Sequence, residues 1–210
     1  MAYPIPLTAA LSGATVDQLA YWRKTTATHP PLLVPEAKRG GRYLYSWADV
    51  VALRSIVYLR QVKSLPRIRR AVQTLRSIEP GEWGHLANYK LVATGTSIVV
   101  MTPSGEVLDV DEHAGTVMDE VLLRDVLNGF QREDGHHVPA MAQPRDHLSV
   151  DPGILGGYPV VSGTRVPFDV VAGLADDGYS EAEIIELYPS VRSASIADAR
   201  SFAQDVAAAA

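Results

Sequence analysis

Apolar residues recur at helical spacing in several short windows, and polar turn residues separate them. Leu7, Ala9, Ala10 and Leu11 predict one or two helical turns, stopped by Ser12-Gly13. Thr15 can then cap a second helix from Val16 to about Thr25, with Val16, Leu19 and Trp22 on one face. Pro30-Pro31 forbids its continuation. Residues 32–34 and 42–45 read as two short strands, and the basic, glycine-rich stretch 35–41 as the turn between them. Ser46-Trp47-Ala48-Asp49 opens the next helix with a capping-box-like signal, and Val50, Leu53 and Val57 form its stripe. Ser64-Leu65-Pro66 opens another, with proline in the first turn and Ile68, Val72 and Leu75 on its apolar side. Two short helices, a hairpin and two longer helices make a winged helix–turn–helix order.

The pattern then changes. Residues 97–101 and 106–110 flank Thr102-Pro103-Ser104-Gly105, a hairpin signal, and 117–130 reads as a helix. Residues 131–146 are polar, contain Gly135, Pro139 and Pro144, and read as a linker. Val160-Val161 and Arg165-Val166-Pro167 are short extended pieces around Ser162-Gly163-Thr164. Three helices are expected after them: 169–176, a helix to about 188 opened by the Ser180/Glu183 capping box, and 195–206. The fold class is therefore mainly α, with small β elements (α+β). Its expected parts are a winged helix–turn–helix at 1–80, a β-hairpin/helix connector and linker at 81–145, and a small three-helix domain at 146–210.

Composition narrows the functional classes. The chain has 210 residues and is 47% hydrophobic, which excludes wholesale disorder. It has no cysteine, so disulfides, thiol nucleophiles and cysteine-held metals are excluded. The aliphatic run Ile98-Val99-Val100-Met101 is too short to span a bilayer. The N-terminus lacks a basic segment of the secretory kind, and a cytoplasmic location without membrane contact is expected. The net charge of −5 hides an asymmetry: residues 1–90 carry 13 Lys+Arg against 5 Asp+Glu, and residues 91–210 carry 6 against 19. Opposite surpluses of +8 and −13 point to two surfaces with different partners.

The basic part supplies candidate DNA contacts. Thr15, Gln18, Arg23 and Lys24 on the second helix suit base edges and phosphates, and the Tyr21 hydroxyl suits a phosphate. Lys38, Arg39 and Arg42 lie on the wing, where a basic tip can follow the DNA backbone. Arg67, Arg69, Arg70 and Arg76 divide between this role and solvated helix surface. Tyr43, Tyr45 and Trp47 read as packing at the base of the wing. The glycines of 153–163 fit neither phosphate-loop pattern and read as positive-φ turns between short strands. Arg165 is expected in a structural ion pair. Asp111-Glu112-His113 and His136-His137 could be metal ligands, but His136-His137 lies in the expected linker, where neighbouring residues rarely point the same way, and no triad or paired carboxylates stand out. No catalytic residue, metal or cofactor is expected, and the chain reads as a binding protein, not an enzyme.

Two family resemblances sharpen this reading. Gln18-Leu19-Ala20-Tyr21-Trp22, the run 42–53 after the wing and the run 64–72 together resemble the DNA-binding domain of MerR-type regulators. Ala20 and Arg23 depart from that family, which usually carries Arg and Glu there. The run 151–167, followed by Asp177-Gly178-Tyr179-Ser180 and Tyr188-Pro189, resembles a bacterial domain of unknown function found in VapB-type antitoxins. The order of the two implies an antitoxin of a type II toxin–antitoxin pair. Its implied partners are operator DNA, a PIN-domain ribonuclease toxin and a second copy of the chain. An acidic surface would meet the basic ribonuclease. The alternative is a MerR-like transcriptional regulator responsive to a ligand.

Overall fold

The computed structural model describes residues 2–35, 37–78, 90–94, 97–101, 107–109 and 127–209. Helix α1 spans Ile5–Ser12 and ends at Gly13, whose φ of 76° is the left-handed conformation that closes a helix. Helix α2 spans Val16–Trp22 and is shorter than expected. Its first turn is fixed by a complete capping box: Thr15 Oγ1 accepts from the Gln18 N–H at 3.1 Å, and Gln18 Oε1 accepts from the Thr15 N–H at 3.0 Å.

The wing corrects one expected strand. Strand β1 is Ala37–Arg39, not residues 32–34, and it pairs antiparallel with β2, Arg42–Leu44. The two-residue loop Gly40-Gly41 has φ of 57° and 77° at both positions, as the tight hairpin turn requires, and this sets the register Arg39↔Arg42. Leu32 and Leu33 are buried instead, and their N–H groups donate to the Trp22 carbonyl at the end of α2. Helix α3, Trp47–Arg60, starts with the expected Ser46/Asp49 capping box. Helix α4, Leu65–Ile78, buries Ile68, Ala71 and Val72.

Strands β3 (Lys90–Thr94), β4 (Ser97–Met101) and β5 (Val107–Asp109) form an antiparallel sheet in that order. The expected hairpin is present, paired Val99↔Asp109 to Met101↔Val107. Most of the expected helix 117–130 lies outside the described residues, and Phe130 at its end belongs to a strand. The stretch 131–146 is not a plain linker. Strands β6 (Phe130–Gln131) and β7 (His137–Val138) pair around Gly135, and Val138 is fully buried against α1. A Cβ on Gly13 would lie 2.4 Å from Val138 Cγ2, so the glycine also provides the space for this packing.

The C-terminal part pairs β8 (Leu148–Ser149) with β9 (Val160–Val161). Between them Leu155, Gly156 and Gly157 all have positive φ, and Gly163 follows β9 with φ 76°. The glycines therefore make turns, as the sequence predicts. Helices α5 (Phe168–Asp176), α6 (Glu181–Leu187) and α7 (Ser193–Ala208) follow. The Ser180/Glu183 capping box forms, and the Ser180 hydroxyl beside the Glu183 carboxylate holds its pKa below the ordinary value. Helices α5 and α7 pack on each other, with Phe168 edge-on to Phe202 at 4.9 Å.

Buried residues of both ends join in one cluster. Helix α1 explains why. It buries six of its eight residues and touches α2 and α3 on one side and β7 and α7 on the other. A helix apolar all round needs such a surrounding. Chain ends far apart in sequence thereby share a core. The architecture is mainly helical with small hairpins, as expected. Among the described residues no helix is long and apolar enough to cross a membrane.

Candidate nucleic-acid interface

The end of α2 and the wing form one surface. The Tyr43 ring, half-buried on β2, contacts two cations: the Arg23 guanidinium carbon is 4.7 Å from its centroid and Lys38 Nζ is 4.3 Å away. These contacts hold both side chains beside the hairpin. Arg23 also donates from Nη1 to Tyr45 Oη at 3.4 Å. Lys24, Lys38, Arg39 and Arg42 are exposed, and Arg39 and Arg42 face each other across the turn. Arg23 and Lys24 follow the last residue of α2, where a helix's partial negative charge favours cations.

The remaining candidates sit differently. Thr15 and Gln18 are engaged with each other in the capping box, which leaves the Gln18 amide nitrogen outside it. Tyr21 is 44% exposed, with the Arg69 guanidinium 5.4 Å from its ring centroid. Arg69 is itself buried, donating from Nη1 to the Pro30 carbonyl at 3.1 Å, so it is a structural residue and not a solvated one. Arg70 is exposed, and the Arg76 side chain lies outside the described residues. Tyr45 is fully buried at the base of the wing; burial raises its pKa, with the Arg23 hydrogen bond opposing. Arg165 is exposed and forms no ion pair with a described residue.

Sequence reasoning missed the residue that ties this head to the rest. Arg54 on α3 is fully buried. Its Nη1 donates to the Leu11 carbonyl, and its Nη2 donates to the carbonyls of Asn128 and Pro139, each at 2.6 Å. Its guanidinium lies 5.0 Å from the Phe130 ring centroid. Burial lowers its pKa to about 10. Arg54 thus joins α1, α3 and the segment around β6 and β7. An arginine within the expected stripe helix was the available signal.

Comparison with known proteins finds two family matches. Residues 3–75 match the family model of the MerR HTH family regulatory protein. Residues 148–203 match that of a protein of unknown function (DUF433). Over 154 residues the chain is 29% identical to an uncharacterized HTH-type transcriptional regulator of Mycobacterium tuberculosis, spanning 70% of this chain and 67% of that protein. A counterpart in Mycobacterium bovis matches equally. An uncharacterized protein of Sinorhizobium fredii is 40% identical over 77 residues, which is 36% of this chain and 34% of that one. No solved structure matches the chain. The chain joins a MerR-type helix–turn–helix domain, a DNA-binding module, to a C-terminal DUF433 domain.

Proposed function

We propose that the chain is a transcriptional regulator that binds operator DNA through the end of α2 and the β1–β2 wing. The observation that carries this reading is the placement of Arg23 and Lys38 on the Tyr43 ring, with exposed Lys24 beside Arg23 in sequence and exposed Arg39 and Arg42 paired at the wing's turn. Wing cations can follow the phosphate backbone while α2 lies in the major groove. Thr15 keeps its part in the capping box, and Gln18 offers its amide nitrogen to a base edge. Tyr21, with its exposed ring, can reach a phosphate. The protein acts by stoichiometric binding without turnover, as a homodimer on a two-fold operator. The names of its mycobacterial relatives support the same reading.

The test is DNA affinity as a function of salt. Arg39→Ala with Arg42→Ala should weaken binding to the region upstream of the protein's own reading frame. The slope of log K against log salt should flatten by about 1.8, since each lost phosphate contact is worth about 0.9. An unchanged slope removes the wing from the interface.

The antitoxin role is a second reading. Its support is the resemblance of residues 151–167, together with the exposed residues Tyr179, Glu181, Glu186 and Leu187 on and before α6. A basic ribonuclease toxin would meet the acidic residues among them by charge complementarity. Co-expression with the neighbouring reading frame separates the two. Rescue from toxicity and co-purification support the antitoxin. A harmless neighbour, with DNA affinity that responds to a small molecule alone, supports the ligand-responsive regulator.

A further inference from the structure

The C-terminal domain reaches the DNA-binding face through a short series of buried contacts. Tyr3 is fully buried, and its hydroxyl donates to the Gly157 carbonyl. Gly157 has φ 84°, and a Cβ there would lie 2.6 Å from Trp47 Cδ1 and 2.7 Å from Tyr3 Oη. The turn therefore sits directly against the start of α3 and the N-terminal segment. Tyr3 in turn pairs with Tyr45 through both backbone hydrogen bonds, N–H to carbonyl at 2.7 and 2.9 Å. Tyr45 Oη accepts from Arg23 Nη1 at 3.4 Å. On the other side Tyr158 stacks on Tyr3 with centroids 6.2 Å apart, and on Phe168 at 6.0 Å, which packs on Phe202 of α7.

We propose that Gly157 and Tyr3 are positioning residues for DNA binding: the turn of the C-terminal domain holds Tyr45, and through it Arg23, in the orientation that meets DNA. The inference rests on the DNA-binding reading above. Its physical basis is pre-organisation. A guanidinium already aimed by a hydroxyl and a ring loses less side-chain freedom on binding. The Tyr45 hydroxyl can aim Arg23 only while the Tyr3 backbone fixes β2's end, and Tyr3 is fixed by the Gly157 carbonyl and the Tyr158 ring. A turn of the C-terminal domain thereby becomes part of the binding apparatus of the N-terminal one.

The experiment measures affinity of the full chain by fluorescence anisotropy. Its probes are a labelled duplex of the region upstream of the reading frame and a mixed-sequence duplex. Tyr3→Phe deletes only the hydroxyl, and Gly157→Ala pushes the turn away from Trp47 and Tyr3. Each should lower affinity for the upstream duplex by about five- to tenfold, the size of coupling between contacting residues. In an Arg23→Ala background Tyr3→Phe should have no further effect, because both changes act through one contact. A merely structural role would multiply the two losses. The inference is overturned if the wild-type chain binds and Tyr3→Phe, with an unchanged melting temperature, binds equally well. It is also overturned if the losses multiply. A wild-type chain that binds neither duplex overturns the DNA-binding reading and this inference together. Should Gly157→Ala fail to fold, the Tyr3→Phe comparison decides.

Discussion

Replacing Arg54 by methionine tests whether the buried guanidinium holds the molecule together. Methionine fills much of the arginine volume, so the cavity contribution stays small and the change reads mainly polar contacts. Three carbonyls lose their donor: Leu11 at the end of α1, and Asn128 and Pro139 on either side of the β6–β7 hairpin. A hydrogen bond from a charged donor contributes about 1.5–3 kcal/mol. Three such bonds set an upper bound of about 9 kcal/mol. Two effects reduce it. Removing the charge also removes the cost of burying it, which is visible in the pKa lowered to about 10. The carbonyl of Asn128, an exposed residue outside the strands, can turn toward water, whereas Pro139 is buried. A net loss of about 3–5 kcal/mol is expected, a large share of the ~5–15 kcal/mol that holds an ordinary domain. Urea unfolding followed by circular dichroism measures it, and amide exchange should place the first opening at residues 127–141. A loss below about 1 kcal/mol, with unchanged exchange there, would refute the clamp.

Three further outcomes follow from local geometry. Gly13→Ala places a Cβ at a left-handed position and 2.4 Å from Val138 Cγ2, so it should cost roughly 2–4 kcal/mol in thermal unfolding. Gly41→Val meets nothing within 4 Å of its Cβ, so only its φ of 77° opposes it; a loss of about 1–2 kcal/mol is expected, and Gly41→Asn should recover most of it. Glu183 has a folded pKa below the ordinary 4.5, so its contribution is present above that value and lost as pH falls through the lowered one. Glu183→Gln should therefore lower the urea midpoint at neutral pH and leave it unchanged at strongly acid pH.

What was legible in the sequence was local. The starts of α2, α3 and α6 carry Thr15, Ser46 and Ser180, whose short hydroxyl side chains reach backbone N–H groups within three residues. The left-handed turn at Gly13 and the positive-φ glycines near 156 and 163 were equally local. The errors arose where a distant partner decides. Leu32 and Leu33 have the composition of a strand, yet burial against the end of α2 takes them, and the Gly40-Gly41 turn fixes a strand nearer to itself. The polar stretch 131–146 looks like a linker because its few apolar residues, Val138 and Met141, find their cover on other elements. Arg54 was invisible as a clamp because its acceptors lie 43, 74 and 85 residues away. Within the candidate interface the residue types were readable, while the Tyr43 contact that groups Arg23 with Lys38 depends on the pairing register.

The same distinction changes how the basic surplus of the first ninety residues is to be understood. Thirteen Lys+Arg stand there, but Arg54, Lys63 and Arg69 are buried, and Arg54 and Arg69 bond to backbone carbonyls. Those cations cannot touch a phosphate, so they release no condensed counterion on binding. Arg23, Lys24, Lys38, Arg39 and Arg42 are the ones gathered at the end of α2 and on the wing. Five phosphate contacts correspond to a salt slope of about −4.5 per bound chain, whereas thirteen would give about −12. Titrating the upstream duplex over a range of salt, with stoichiometry fixed by sedimentation, separates these values. A slope near −12 per chain would mean that the head's buried cations, or α4, reach the DNA after all. A slope near zero would mean that the cation contacts on Tyr43 serve the fold alone.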